Sequence, residues 1–256
     1  VWQLTKFLNK GELVRFHRGI WMLDKHITKR SLAIGLSPFL YNIAHCFVVI
    51  IINNQLKNYG GDLAIASYGV INRIVFVFAM IIMGLNQGMQ PITGYNYGAK
   101  QYDRMLRSFY LTCMYATGVM AIIFILGECF PRQITQIFTH DINLIEQTIV
   151  PMRIICSTML IIGFQMVAGN FFTSIGMAGK SIFLSMTRQV VYLIPLLLIV
   201  PAFFENPVLG VWWAIPISDT MAAITAAIMI GITIRRFRVL MEEQEAWKAT
   251  CPPEPD

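Results

Sequence analysis

Six long, mostly apolar stretches follow one another along this chain of 256 residues, at about 31–52, 63–90, 108–130, 146–175, 181–204 and 207–234. A helix rises 1.5 Å per residue, so about 20 such residues cross the roughly 30 Å hydrocarbon core of a bilayer. Inside that core every backbone amide and carbonyl must be paired within the protein, which leaves only helices and closed barrels as spanning structures. The runs far exceed the roughly ten residues of a barrel strand. The expected fold is therefore an all-α membrane protein, a six-transmembrane-helix bundle. Composition agrees: hydrophobic residues make up 56% of the chain and charged residues 13%, against about 25% charged in a soluble domain.

Punctuation between the runs sets the expected boundaries. Pro38 interrupts the first span, and a polar loop is expected from Asn53-Asn54 through Tyr59-Gly60-Gly61, with Asp62 capping the second span. That span is expected to stop at Pro91, leaving Thr93–Lys100 as a glycine-punctuated loop. Pro131 follows the third span, and Gln133–Ile145 reads as a short amphipathic piece with Asp141 as a possible cap. The fourth span ends in Gly176-Met177-Ala178-Gly179. Asn206 as N-cap with Pro207 at the first helical position opens the sixth. Residues 1–30 form a basic segment holding Lys6, Lys10, Arg15, Arg18, Lys25, Lys29 and Arg30, either an interfacial helix or a plain connector. Residues 236–256 read as a tail whose final Cys251–Asp256 is expected to be disordered. The chain opens on Val1 with no short apolar leader, so it is expected to begin within a longer polypeptide.

The net charge of +6 does not point to nucleic acid, because the cations lie between the apolar runs and at the ends. One side collects the opening segment, Lys100, Arg104, Arg107, Lys180, Arg235, Arg236 and Arg238, while the other holds Lys57 and Arg132. The positive-inside rule then puts the first side, and both ends, in the cytoplasm, with Trp212 and Trp213 in an outer aromatic belt. The five cysteines show neither a C-x-x-C pair nor zinc spacing, so no disulfide or metal is expected.

Polar residues at membrane depth are the candidate site, since burial in hydrocarbon is costly unless they face a partner or a wet cavity. At 1.5 Å per residue, Arg73 lies roughly 16 Å down the second span, Asp219 roughly 18 Å down the sixth and Arg188 roughly 12 Å up the fifth. Asp219 is expected to face a basic or amide partner, with Arg188 and Arg73 as candidates. Asn72 and Gln189 adjoin these arginines. On the first span Tyr41, Asn42 and His45 share a helical spacing, and His45 is either a titrating group of a proton-coupled cycle or a hydrogen-bonded interior residue. Asn86, Gln87 and Gln90 late in the second span, with Gln165 and Asn170 in the fourth, either line a pathway or bind helices together. Glu128 and Arg153 fall near outer span ends, either paired or simply solvated. An intramembrane enzyme would need a nucleophile and base, or clustered ligands, at one depth. His17, His26, His45 and His140 are instead scattered, and no paired carboxylates occur.

The run Gly88-Met89-Gln90-Pro91-Ile92-Thr93-Gly94-Tyr95-Asn96-Tyr97-Gly98-Ala99-Lys100 resembles the loop signature in the second half of MATE-family multidrug efflux transporters. Asn58–Ala66, Gly176–Ser181, Arg188-Gln189 ahead of Leu193-Ile194-Pro195, and Ala214–Asp219 are similar to the same family in the same order, over about 32–234. The likeness is closest to the bacterial MepA-like and DinF-like branches. The resemblance implies twelve helices in two lobes, of which this chain is the C-terminal one, with an N-terminal six-helix lobe as its partner and residues 1–30 as the connector. It implies a secondary antiporter in a bacterial cytoplasmic membrane that exports cationic amphipathic drugs or toxic metabolites in exchange for sodium or protons, with no other cofactor. Acidic coupling residues are expected in the other lobe, because the first span here carries no Asp or Glu. A lipid-linked-precursor flippase of the wider superfamily and a non-transporting membrane subunit are the alternatives.

Overall fold

The computed structural model describes residues 24–250; the expected interfacial segment up to residue 23 and the terminal Cys251–Asp256 lie outside the described residues. The described chain is helical throughout: α1 (Lys25–Gly98), α2 (Tyr102–Cys129), α3 (Pro131–Phe138), α4 (Ile142–Cys156), α5 (Met159–Ser174), α6 (Ala178–Met186), a π-helical turn (Thr187–Leu193), α7 (Ile194–Ile199), a 3-10 turn (Val200–Phe203) and α8 (Pro207–Thr250).

The apolar part of α1, Pro38–Gly98, is 61 residues long. A straight helix of that length would reach about 90 Å, three times the hydrocarbon thickness. It is in fact two arms broken at Gly61, where φ is 68° and ψ is −163°, a backbone state open to glycine and costly for other residues. A Cβ on Gly60 would sit 3.2 Å from Val208 at the start of α8, so the break lies at that end of the bundle. The far end of the second arm reaches the end of α5, where a Cβ on Gly94 would lie 3.1 Å from the Ser174 carbonyl. Among the described residues four helical stretches are long and apolar enough to cross a membrane, five with the bent pair α4–α5 as one span; counting the two arms of α1 separately makes six candidate crossings.

Breaks elsewhere have local causes. The pair α4–α5 bends by 53°, where the Ser157 hydroxyl donates to the Ile154 carbonyl (2.7 Å) and competes with the helix ladder. Pro195, lacking an N–H for the turn before it, follows the wide π turn. Asp141 accepts the Asn143 amide (3.0 Å) to start α4, and Asn206 accepts the Val208 amide (3.1 Å) at the start of α8. Gly176, with φ 73°, closes α5 in a Schellman turn: its amide donates to Thr173 (3.1 Å) and the Met177 amide to Phe172 (2.9 Å).

Several expectations are corrected. The polar segment Asn53–Gly60 is helix up to Gly61 rather than a loop, because the reversal needs one positive φ and not a run of turn residues. Asp62 is helical and exposed, and makes no side-chain capping bond among the described residues. The second arm runs through Pro91 to Gly98, so Thr93–Gly98 is the last helical turns of a span. Lys100, at φ 56°, closes it in a second Schellman turn, its amide donating to Tyr97 (3.1 Å) and that of Gln101 to Asn96 (2.8 Å). The helix α8 continues to Thr250, beyond the expected end of the sixth span at Arg235–Arg238, so the described part of the tail is helical. Trp212 is buried against Tyr68 (ring centroids 6.2 Å apart) instead of sitting in an interfacial belt, while Trp213 is exposed.

Three contacts tie basic segments of the chain together. Tyr102 stacks on Phe237 at 5.3 Å, Tyr97 packs edge-on to Phe237 at 6.0 Å, and Lys180 Nζ donates to Thr233 Oγ1 at 2.9 Å. These contacts bring the turn at Lys100, the start of α6 and the Arg235–Arg238 stretch to one end. At the opposite end Arg132 pairs with Glu146 (3.1 Å), and Thr148 donates to Ser67 (3.0 Å). Glu128 and Arg153 form no ion pair with each other.

Candidate functional site

The strongest polar constellation joins the first arm of α1, the π turn and α8. Arg188 Nε donates to Asp219 Oδ1 at 2.8 Å, with the Asp219 side chain 2% and that of Arg188 20% exposed. An isolated carboxylate at this depth is not tolerable, and the guanidinium supplies both the counter-charge and a donor. Arg73 is exposed on the second arm and does not pair with Asp219. Tyr41 and His45 stack with parallel rings, centroids 6.2 Å apart, and both stand within electrostatic reach of Arg188. The π turn carries Arg188, and such wide turns occur most often at functional places in helices.

A second group lines the interior between the second arm of α1, α5 and the π turn. Gln90 Nε2 donates to Asn170 Oδ1 at 3.2 Å, and Asn170 Nδ2 to the Met166 carbonyl at 3.1 Å. Asn96 is buried and donates to the Ile92 carbonyl (2.8 Å) inside its own helix. Asn86, Gln165, Gln189 and Thr93 are also buried, and both side-chain polar atoms of Asn86, Oε1 of each glutamine and Oγ1 of Thr93 have no hydrogen-bond partner among the described residues. Each unsatisfied atom costs about 1–3 kcal/mol, so this seam is not built for stability.

The remaining candidates lie on an outer surface. Asn42, Asn72, Arg73 and Gln87 are exposed, Asn42 returning its Nδ2 to the Pro38 carbonyl (2.7 Å). In the signature run, Pro91, Tyr95, Gly98 and Ala99 are exposed and Tyr97 is half-buried. Gly94 has a steric reason to be glycine, the nearby Ser174 carbonyl, whereas a Cβ on Gly98 would meet open space. Lys180 escaped the sequence reading as a tertiary anchor; besides bonding Thr233 it lies 5.3 Å above the Phe172 ring. Its partner is a lone hydroxyl in an apolar run, which gives no sequence signal.

A family model for MatE matches residues 33–199. The multidrug export protein MepA of Staphylococcus aureus is 25% identical over 236 residues, covering 92% of this chain and 51% of the relative. The MepA of Staphylococcus saprophyticus is 24% identical over 239 residues. The chain thus spans about half the length of the curated relatives it matches. Among solved structures, the MATE multidrug transporter DinF-BH is 34% identical over 89% of this chain and 50% of its own, with a TM-score of 0.76. An outward-facing multidrug resistance transporter of the MOP superfamily, 20% identical with a TM-score of 0.83, shares the fold. Family members of this kind are transporters and not enzymes. With the family model spanning more than half of the chain, the chain belongs to the MatE family.

Proposed function

We propose that this chain is one lobe of a secondary antiporter that exports cationic amphipathic drugs or toxic metabolites in exchange for sodium or protons. Its basic end faces the cytoplasm of a bacterial inner membrane, and a second six-helix lobe covers its polar flank. The supporting observation is the exposed stripe on the second arm of α1. Asn72, Arg73 and Gln87 alternate there with Phe76, Met80 and Met83, all at membrane depth and all exposed. Lipid cannot face such a surface cheaply, so it borders water and the opposite lobe across a cleft. Amides bond a solute without holding it tightly, and the methionines adapt to differently shaped apolar bodies.

Arg73 is the cation of that wall, so the carboxylates that attract a cationic substrate come from the opposing lobe. His45, stacked on Tyr41, is the titratable group of this lobe that a proton cycle uses. The test is dye export by cells making the full-length protein, with the sodium and proton gradients collapsed one at a time. Export of a lipophilic cation that stops with one of the two gradients supports the reading; no export under either overturns it. His45→Gln is expected to alter the pH profile of export, and an unchanged profile removes His45 from the cycle. Vectorial export by the reconstituted six-helix piece alone would contradict the two-lobe reading.

A further inference from the structure

Between the basic-end turns of α2 and α8 lies a groove of about 530 Å³, lined by Asp103, Leu106, Arg107, Tyr110, Leu111, Met114, Arg238 and Met241. We propose that it holds the headgroup of an anionic phospholipid, with an acyl chain laid along α2. The inference stands apart from the transport reading and needs only that this body sits in a bilayer.

Three observations converge. First, Arg107 and Arg238 line the groove from different helices, both are exposed, and neither enters an ion pair among the described residues. Two guanidinium forks match a phosphodiester in both charge and geometry. Asp103 shares the rim, so the lining itself is net positive by one charge. Second, polarity falls along α2 in the order a lipid presents: Asp103 and Arg107 come first, the Tyr110 phenol follows, and Leu111 and Met114 come about 6–10 Å deeper than Arg107. Third, the apolar end runs on into a strip of α2 where Leu111, Met114, Ile122 and Ile125 are each 43–59% exposed and no charged side chain intervenes. A soluble anion would use the rim and ignore the strip. A zwitterionic lipid would use the strip and gain little from the rim. Basic pockets between helices at the cytoplasmic surface are the places where anionic headgroups are retained.

The test uses the intact polypeptide containing this chain, delipidated in detergent and offered equimolar phosphatidylglycerol and phosphatidylcholine, with bound lipid counted by native mass spectrometry. Phosphatidylglycerol is expected to be kept over phosphatidylcholine by at least about fivefold, since each basic side chain near a lipid surface favours the anion substantially. The double variant Arg107→Gln/Arg238→Gln should bring the ratio to about one while melting normally in phosphatidylcholine. A wild-type ratio near one, or a preference undiminished in the double variant, overturns the proposal. Should the double variant fold poorly, Asp103→Asn decides: removal of the rim carboxylate must raise phosphatidylglycerol retention, and unchanged or weaker retention overturns the proposal.

Discussion

Breaking the buried pair of Arg188 and Asp219 is the most informative perturbation of the chain's interior. Truncating one partner of such a pair costs about 3–5 kcal/mol, because the survivor keeps its charge without compensation. The structure makes the two single changes unequal. Asp219→Ala leaves a guanidinium that is 20% exposed and able to recruit water, so its cost lies at the low end. Arg188→Ala strands a carboxyl group that is 2% exposed, so its cost lies at the high end. At about 2–4 °C per kcal/mol for a domain of this size, the Arg188→Ala melting point should fall by roughly 10–15 °C. The paired replacement Arg188→Met/Asp219→Leu removes both charges and should recover most of that loss. The assay is tryptophan-fluorescence melting in detergent on all four proteins, in which the double variant should lose at least about 2 kcal/mol less than the two single losses added together. Single variants that melt within about 1 °C of wild type, or a double variant that falls by the sum of the singles, would refute the reasoning.

Two further outcomes test the packing. A Cβ on Gly210 would lie 2.6 Å from the Pro201 Cα, which is backbone and cannot step aside, so Gly210→Ala should cost at least about 2 kcal/mol in the same melt; an unchanged melting point would show the contact to be wrong. Asn86→Leu replaces a buried amide with no partner by an apolar group of similar volume and should stabilise by about 1–3 kcal/mol while lowering export; destabilisation would mean that the amide is satisfied.

The membrane fold was legible because hydrocarbon length and the exclusion of charge are properties of sequence alone. The pairing of Asp219 was half legible: a carboxylate at depth demands a cation, and depth narrowed the choice to two, but only packing distinguishes Arg188 in the π turn from Arg73 on the outer face. The signature run misled because Gly94 and Gly98 read as turn residues. Gly94 is there to let two helices approach, and the left-handed position at the actual end of the arm falls to Lys100. The break at Gly61 was placed within a loop that does not exist, since a single glycine turns the chain where a polar stretch was expected to do so. The Lys180–Thr233 bond and the groove at Arg107 and Arg238 depend on which helices neighbour each other, and residue spacing does not carry that information.

The account turns on Lys100 and Lys57 lying at opposite surfaces of a bilayer, and labelling single cysteines tests that directly. In a full-length protein cleared of native cysteines, Lys100→Cys and Lys57→Cys are treated in intact cells with a membrane-impermeant thiol reagent. Position 57 is predicted to react in intact cells once the outer envelope is opened, and position 100 only after the inner membrane is permeabilised. Equal reaction of both positions from the same side would contradict the six-crossing arrangement and everything derived from it.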